Sequence, residues 1–224
     1  MLRWKILTVL GILTGFGLAA HPAHAEKDAK EEKSAKQQDS RLLFDGKSLK
    51  NWEVIDFGGQ GDVRVEEGVL IVDRGEPLTG IVYKGPELPK VNYELSLESQ
   101  RRDGNDFFLG LTFPVKDTHC SLILGGWGGG VAGLSSIDGF DASENETTDY
   151  FSFEKDQWYK VRVRVTDDKI EAWLDDQQIA NVDHKEKKID VRIEMEVAKP
   201  LSVCTFQTTG GLRHFRFENL TKTE

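Results

Sequence analysis

The sequence predicts an all-β domain in which two antiparallel sheets pack face to face. Three observations lead to this class. Apolar residues recur at every second position in many short runs, turn-forming residues separate those runs, and no long apolar period of 3.6 residues follows the N-terminal leader. A strand that is apolar on one side only must bury that side against a second layer. Such a sandwich leaves two polar outer faces, and a concave one is the default place for a ligand.

The N-terminus has the pattern of a secretory signal. Arg3 and Lys5 precede an apolar segment from Ile6 to Ala20, and Ala23-His24-Ala25 places small residues where a signal peptidase cleaves. We therefore predict a signal peptide over residues 1–25, cleaved after Ala25, and a secreted or periplasmic mature protein. The apolar segment is too short and too rich in glycine for a typical membrane span, so none is expected in the mature protein. An uncleaved signal anchor is the alternative.

Residues 26–41 are predicted to form a charged, disordered linker, because Glu, Lys, Asp, Gln and Ser dominate there without an apolar period, and a frayed helix is the alternative. A single β-sandwich domain is predicted to follow over residues 42–221, since one all-β domain commonly reaches about 200 residues. The formal net charge is −9, and loss of Arg3 and Lys5 with the leader makes it −11. No basic stripe is present, which excludes nucleic acid as an expected partner.

Alternating apolar residues mark the strands of this domain in chain order. We predict that these rows point into the core, and that Asp167-Asp168 and Asp175-Asp176 are turns. The rows are Tyr93, Leu95 and Leu97; Phe107, Leu109, Leu111 and Phe113; Tyr159, Val161, Val163 and Val165; Ile170, Ala172 and Leu174; Ile189, Val191, Ile193 and Met195; and Phe215 with Phe217.

Two cysteines, Cys120 and Cys204, both lie in apolar, strand-like runs. An oxidising compartment would permit a disulfide between them, but their spacing alone does not pair them. A chain of this size does not need a disulfide to build a stable core, so buried free thiols are the preferred interpretation.

The run Gly125-Gly126-Trp127-Gly128-Gly129-Gly130 places a large indole among residues that have no side chains to cover it. Glycines also allow another molecule to approach the backbone closely. One interpretation is a platform on which a sugar stacks, with Trp127, Gly126 and Gly128 as substrate-binding residues. The other is that the ring folds back over the sheet as a lid on the core.

Three acids follow within seven residues, namely Asp138, Asp141 and Glu144. Glycosidic-bond cleavage uses one carboxyl group as proton donor and another as base or nucleophile, which makes these acids candidate catalytic residues. The alternative is a solvated acidic loop in which Asp138-Gly139 makes a turn. A further interpretation of the same acids is a binding site for a divalent cation such as calcium. The Asp-x-Asp-x-Asp-Gly order of an EF-hand is absent, however, and no cofactor is predicted.

His119 precedes the glycine run and has the opposite strand parity from Cys120, so it is predicted to face away from the apolar row. A neutral imidazole there is a candidate general base or metal ligand, and an inert surface histidine is the alternative. No HxH or HExxH spacing indicates zinc.

A second candidate groove consists of charged residues and one indole that alternate with apolar rows. The preferred interpretation of this pattern is cross-strand ion pairing on a solvated face. These residues are Arg162, Arg164, Glu171, Trp173, Arg192 and Glu194.

Residues 42–52, LLFDGKSLKNW, resemble the opening of the 3-keto-disaccharide hydrolase family. Residues 67–70 (EGVL) are similar to the family's early hairpin, residues 157–159 (QWY) to the start of a strand, and residues 211–217 (GLRHFRF) to the closing strand. The resemblance covers nearly the whole predicted domain. In fold terms, Asp45-Gly46 is expected to form a turn and Trp52 to lie in the core.

This resemblance implies a concanavalin A-like jelly-roll sandwich that hydrolyses or eliminates glycosidic bonds of 3-keto-disaccharides or related glycosides. A ketone at carbon 3 acidifies the hydrogen on carbon 2, so one base and an electrophilic partner for the enolate suffice. On this hypothesis Trp127 stacks on the sugar, His119 or Asp138 is the base, and Asp141 or Glu144 assists.

The family often carries a polar Glu-x-Gln pair on the strand before the loop, where this sequence has Cys120 and Leu122. The alternative function is therefore a lectin-like module that binds glycan without cleaving it. In both cases the expected partner is a carbohydrate.

Overall fold

The computed structural model describes residues 40–221, which form strands joined by turns and by a few longer connections. The strands are β1 (Ser40–Leu42), β2 (Trp52–Val54), β3 (Val63–Glu66), β4 (Val69–Val72), β5 (Leu78–Tyr83), β6 (Tyr93–Gly104), β7 (Leu109–Val115), β8 (Thr118–Gly125), β9 (Val131–Ser135), β10 (Asp149–Tyr150), β11 (Tyr159–Val165), β12 (Lys169–Leu174), β13 (Gln177–Asp183), β14 (Ser202–Phe206) and β15 (Thr208–Asn219). A tight turn spans Gly126–Gly129 between β8 and β9, and a 3-10 helix spans Ile193–Ala198. No described helix has the length and apolar character needed to cross a membrane.

The strands form two antiparallel sheets, as the alternating pattern predicted. The eight-stranded sheet has the order β13-β12-β11-β6-β15-β4-β3, and β1 pairs with β15. The seven-stranded sheet has the order β10-β9-β8-β7-β14-β5-β2. The central strand pairs β6–β15 and β7–β14 join segments far apart in sequence, so residues from the middle and the end of the chain meet in each sheet.

The core lies between the two sheets and contains most of the predicted inward rows. Tyr93, Val163, Ile170 and Phe215 are fully buried, which confirms the alternation predicted for β6, β11, β12 and β15. The Tyr93 hydroxyl donates to the Pro114 carbonyl at 2.6 Å, so its one polar atom is satisfied inside the apolar layer.

The predicted row from Ile189 to Met195 is correct only at its start. Ile189 lies in the core and pairs with Ile137, but the following residues do not continue as a strand. The chain forms a 3-10 helix over Ile193–Ala198 instead, and Ile193 is 87% exposed. Met195 and Ala198 are buried because positions three apart share one side of a 3-10 helix. They pack with Val82 and Cys204 in a separate apolar cluster on the outer face of the seven-stranded sheet.

Phe107 also differs from its predicted inward position. Strand β7 begins at Leu109, and Leu109, Leu111 and Phe113 point into the core as expected. Phe107 precedes the strand and packs against Phe206 on the outer face, with ring centroids 5.6 Å apart. The row therefore starts two residues later than the sequence pattern suggested.

The family-like opening forms a turn followed by a core residue, as expected. Asp45 accepts backbone hydrogen bonds from Lys47 and Ser48, and Gly46 has a φ of 74°. Trp52 is buried, and its indole N–H donates to the Leu43 carbonyl at 2.8 Å.

The remaining domain-level predictions have mixed outcomes. Ser40 and Arg41 belong to β1, so regular structure begins before Leu42, whereas the signal peptide and most of the linker lie outside the described residues. Cys120 and Cys204 are both buried free thiols. Cys204 lies in the outer-face cluster and Cys120 in the core, and the sheet separates the two positions.

Candidate functional site

A cavity of about 190 Å³ opens on the outer face of the seven-stranded sheet. Its floor includes Ser121 and Ile123 of β8, which alternate with Cys120 and Leu122 of the core. Its walls come from the chain before β7, the β8–β9 turn, the 3-10 helix, and the paired ends of β5 and β14. Segments remote in sequence thus converge on one concavity.

Trp127 stands at this cavity on the tight turn between β8 and β9. The turn needs glycines because Gly125 and Gly128 have φ values of 81° and 87°, in the left-handed region. A Cβ at Gly125 would also lie 2.5 Å from Nη2 of Arg101. Trp127 has a φ of 48° and is 44% exposed, so its indole lies at the surface and is not a lid on the core.

Two contacts hold the turn in place. Arg101 donates to the Gly129 carbonyl at 2.6 Å, and the Gly128 N–H donates to the Asp106 carboxylate at 3.2 Å. Gly126 is buried against Ile123, whereas a side chain at Gly128 would meet no neighbouring atom within 4 Å. Gly126 therefore packs the turn onto the sheet, and Gly128 provides a backbone hydrogen bond at the rim.

Three charged residues line the cavity opening: Asp106, Arg192 and Glu194. Asp106 is oriented by backbone N–H groups, since Phe107 donates to its second carboxylate oxygen at 2.7 Å. The Arg192 guanidinium forms ion pairs with both Glu194 and Asp141. The hydrogen bond that Arg192 donates to the Glu194 carboxylate raises the pKa of the guanidinium, so this cation remains charged at every relevant pH.

The inner part of the cavity is apolar, and its few polar atoms already have partners. The Ser121 and Thr112 hydroxyls are hydrogen-bonded to each other at 2.8 Å. The Ser135 hydroxyl donates to Asp141 at 3.5 Å. The apolar lining consists of Leu78, Phe107, Ile123, Met195 and Phe206.

The three acids predicted from sequence do not converge. Asp138 and Gly139 form a tight turn closed by two hydrogen bonds between Ile137 and Phe140, as the alternative interpretation held. Asp138 is exposed, and its pKa is lowered first by a hydrogen bond from the Lys188 backbone N–H.

Asp141 lies behind Arg192 and reaches the cavity only through that guanidinium and Ser135. Glu144 is exposed and does not line the cavity. Within residues 40–221 no three His, Cys, Asp or Glu side chains gather as metal ligands would.

His119 is half-buried on the outward side of β8, where its strand parity placed it. It is not part of the cavity lining. Burial lowers its pKa, and Lys199 lowers it further. On this strand the core-facing positions are Cys120 and Leu122, so the residues of β8 that reach the cavity are Ser121 and Ile123.

The second candidate groove is only partly assembled. Arg162, Arg164 and Glu171 lie with Trp173 on the outer face of the eight-stranded sheet, where Glu94 and Glu171 accept ion pairs from the two arginines. The ion-pairing interpretation therefore describes this face. Arg192 and Glu194 do not belong to it, because they lie at the cavity on the other sheet.

Asp106, Met195 and Phe206 line the cavity but were not among the site residues predicted from the sequence. The only sequence signal for Asp106 is its place at the end of the turn-forming run Asp103-Gly104-Asn105-Asp106, directly before an apolar strand. No local pattern identifies Met195 or Phe206, because each reaches the cavity through pairing or packing between distant segments.

The chain matches the family model described as the 3-keto-alpha-glucoside-1,2-lyase-like domain over residues 39–221. No curated protein sequence matches closely enough to indicate a relative. Solved structures with a similar fold include a provisionally assigned glycosyl hydrolase from Parabacteroides distasonis ATCC 8503. It has a TM-score of 0.53 and 15% identity, and the match covers 85% of this chain and 97% of that one.

Two further structures have the same architecture at 11% identity. The Crh5 transglycosylase in complex with NAG has a TM-score of 0.56, with 81% of this chain and 84% of that chain covered. The exoplasmic/lumenal domain of VIP36, bound to Ca²⁺ and Man3GlcNAc, has a TM-score of 0.50, with coverages of 84% and 91%. These likenesses show the jelly-roll fold alone. The family match spans nearly all the described strands, and the chain belongs to the family of 3-keto-alpha-glucoside-1,2-lyase-like domains.

Proposed function

We propose that this protein is an exported carbohydrate-active enzyme that cleaves the glycosidic bond of 3-keto-disaccharides or related 3-keto-glucosides. Its active site is the cavity on the outer face of the seven-stranded sheet. The observation that carries the proposal is the convergence of one open indole, two carboxylates and one guanidinium on that cavity. Family membership supports the reaction class. Export rests on the signal pattern of residues 1–25.

Trp127 differs from the other indoles within residues 40–221. Trp52 is buried, and the guanidinium groups of Arg213 and Arg162 lie 4.0 Å and 3.9 Å from the rings of Trp158 and Trp173. Trp127 is neither buried nor covered by a cation among these contacts. An open aromatic face beside polar groups is suited to the apolar face of a sugar ring.

The reaction that fits this site is an elimination. A base removes the proton on carbon 2 of the 3-keto sugar, and the electron pair of that C–H bond moves to the ketone as an enolate. The enolate then re-forms the ketone while the bond from carbon 1 to the glycosidic oxygen breaks, and a proton converts the leaving oxygen into an alcohol. Addition of water to the unsaturated sugar would give net hydrolysis.

We assign the base role to Asp106 and the enolate-stabilising role to Arg192. Asp106 is fixed by two backbone N–H groups, which orients its carboxylate without a flexible partner. Arg192 presents N–H donors to an oxygen that gains negative charge in the transition state. His119, Asp138 and Glu144 do not line the cavity, and their predicted catalytic roles serve as the competing assignment.

The assay uses purified protein with a 3-keto-glucoside and with its unoxidised parent, and follows release of the leaving alcohol. We expect turnover of the oxidised substrate only. Asp106→Asn and Arg192→Met should each lower kcat by about 100-fold or more, the usual effect of removing an acid–base or oxyanion group. Trp127→Ala should mainly raise KM.

Trp173→Ala and Arg162→Met change an indole and an arginine on the opposite sheet, so they are matched controls that should retain wild-type kinetics. His119→Ala and Asp138→Asn should also remain active. Loss of activity in those two variants, with activity kept in Asp106→Asn, would contradict the assignment.

A binding module without catalysis is the second candidate, and the exposed Trp127 on its glycine turn favours it. It predicts glycan binding that Trp127→Ala abolishes, with no bond cleavage in any substrate. Absence of turnover with every 3-keto-glucoside, together with retained glycan binding, would select this function.

A further inference from the structure

The cavity divides into two chemically different halves. Trp127, Arg192 and Glu194 are exposed at its opening, whereas Leu78 and Met195 are 5% and 4% exposed and lie within it. Ile123, Phe107 and Phe206 complete the inner wall. A glycoside with its sugar at the charged opening would direct the group attached to carbon 1 into this inner half.

The size of the cavity admits one ring. Its volume of about 190 Å³ lies below the ~300–1,000 Å³ of sites that enclose a whole drug-sized ligand. A two-ring substrate would therefore place one ring inside and keep the other at the opening. The site selects between substrates through the chemistry of the ring that enters.

The inner half offers few hydrogen bonds to a sugar. The Ser121 hydroxyl is paired with Thr112 at 2.8 Å, and the Ser135 hydroxyl is paired with Asp141 at 3.5 Å. Each substrate hydroxyl buried there without a partner would weaken binding about tenfold or more. An apolar ring carries no such penalty and gains contact with the thioether and the aromatic side chains.

We propose that the inner half is a subsite for an apolar leaving group, so that the preferred substrates are 3-keto-glucosides of aromatic or cycloaliphatic alcohols. The proposal rests on the proposed function, because it names the substrate class of the same site.

The test compares two substrates whose leaving groups are both ordinary alkyl alcohols, cyclohexyl 3-keto-glucoside and a 3-keto-disaccharide of glucose. This choice removes the advantage that an acidic phenol would have as a leaving group. We expect kcat/KM to be at least about tenfold higher for the cyclohexyl compound, the effect of about one hydroxyl left unpaired. Equal or higher kcat/KM for the disaccharide would overturn the proposal.

Met195→Gln changes the inner wall at nearly constant length and should lower kcat/KM for the cyclohexyl substrate about tenfold while sparing the disaccharide. Val197→Gln is the matched control, since Val197 lies on the same 3-10 helix and is 58% exposed. Ile123→Thr keeps a β-branched residue in β8 and tests the same wall if Met195→Gln fails to fold. A loss that is equal for both substrates in the folded variants would contradict the subsite.

A binding experiment separates this inference from the proposed function. Saturation-transfer NMR with cyclohexanol as the probe should show binding to the wild type that weakens in Met195→Gln and persists in Val197→Gln. Absence of turnover with cyclohexanol binding intact would refute the enzyme and keep the apolar subsite. Turnover of the disaccharide without cyclohexanol binding would refute the subsite and keep the enzyme.

Discussion

Trp127 combines an unfavourable backbone conformation with an exposed aromatic ring. Its φ of 48° lies in a region that costs most L-residues about 1–2 kcal/mol, and the residue is 44% exposed. Neither property favours the folded state. A residue of this kind on a turn of glycines fits a binding role better than a packing role.

We therefore expect Trp127→Gly to be more stable than Trp127→Ala by about 1 kcal/mol. Both variants lose the indole, but only glycine relieves the positive φ. Urea denaturation of the two proteins measures the difference, and both should lose carbohydrate binding. A Trp127→Ala protein as stable as Trp127→Gly would show that the turn does not hold this residue in the left-handed region.

Cys120 and Cys204 differ in surroundings but share their chemistry. Burial raises the pKa of each thiol to about 12, so neither forms the reactive thiolate at neutral pH. We expect an aromatic disulfide reagent to label neither cysteine in the native protein and both in denaturant without reductant. Failure to label in denaturant would reveal a disulfide and contradict this arrangement.

At the scale of elements, Arg101 of β6 connects the eight-stranded sheet to the β8–β9 turn. Arg101 is 9% exposed, its guanidinium carbon lies 5.4 Å from the Phe108 ring centroid, and its guanidinium donates to the Gly129 carbonyl at 2.6 Å. Its Nε has no hydrogen-bond partner among the described residues. The hydrogen bond to Gly129 therefore fixes the turn that presents Trp127.

Arg101→Met should loosen the turn while the strands remain ordered. A hydrogen bond from a charged donor contributes about 1.5–3 kcal/mol, which corresponds to roughly 10- to 100-fold faster amide exchange in the turn. Hydrogen–deuterium exchange of a peptide covering residues 125–130 measures this. Arg164→Met, on the eight-stranded sheet, is the control that should leave exchange in the turn unchanged. Unaltered exchange in Arg101→Met would show that other contacts position Trp127.

The strands that were predicted correctly show an alternation of apolar and polar residues within their own sequence. In β11 and β12, and in β6 as far as Leu97, every second residue is apolar because one face of these strands lies in the core and the other faces outward. The segment from Ile189 to Met195 has the same alternation, but after Ile189 it leaves the core and crosses the outer face of a sheet, where none of the strands in residues 40–221 continues its pairing. The alternating pattern alone does not distinguish a core strand from a segment that crosses the outer face. For this reason Arg192 and Glu194 were predicted on the wrong sheet.

At the scale of the molecule, the two outer faces of the sandwich have different properties. On the eight-stranded sheet the indoles of Trp158 and Trp173 lie beneath arginines that pair with acids. On the seven-stranded sheet the 3-10 helix and the β8–β9 turn rise above the strands and enclose a cavity. The difference arises from connections between strands and not from the strands themselves.

This explains why the fold could be predicted more fully than the site. Strand periodicity and the family-like opening at residues 42–52 define the sandwich. Of the residues selected as site candidates, Trp127 lines the cavity and Asp141 contacts it through Arg192. Arg192 and Glu194 also line the cavity, although the sequence pattern assigned them to the second groove. Asp106, Met195 and Phe206 line one cavity only because segments distant in sequence pack together in the fold. Local sequence patterns do not predict such contacts.

A crystal structure with a 3-keto-glucoside bound to an inactive Asp106→Asn protein would show where the sugar binds. We expect a sugar ring against the Trp127 indole, its carbon 3 oxygen within hydrogen-bond distance of Arg192, and its carbon 1 substituent directed toward Met195. A sugar bound on the eight-stranded sheet beside Trp158 or Trp173, with the cavity empty, would contradict this expectation.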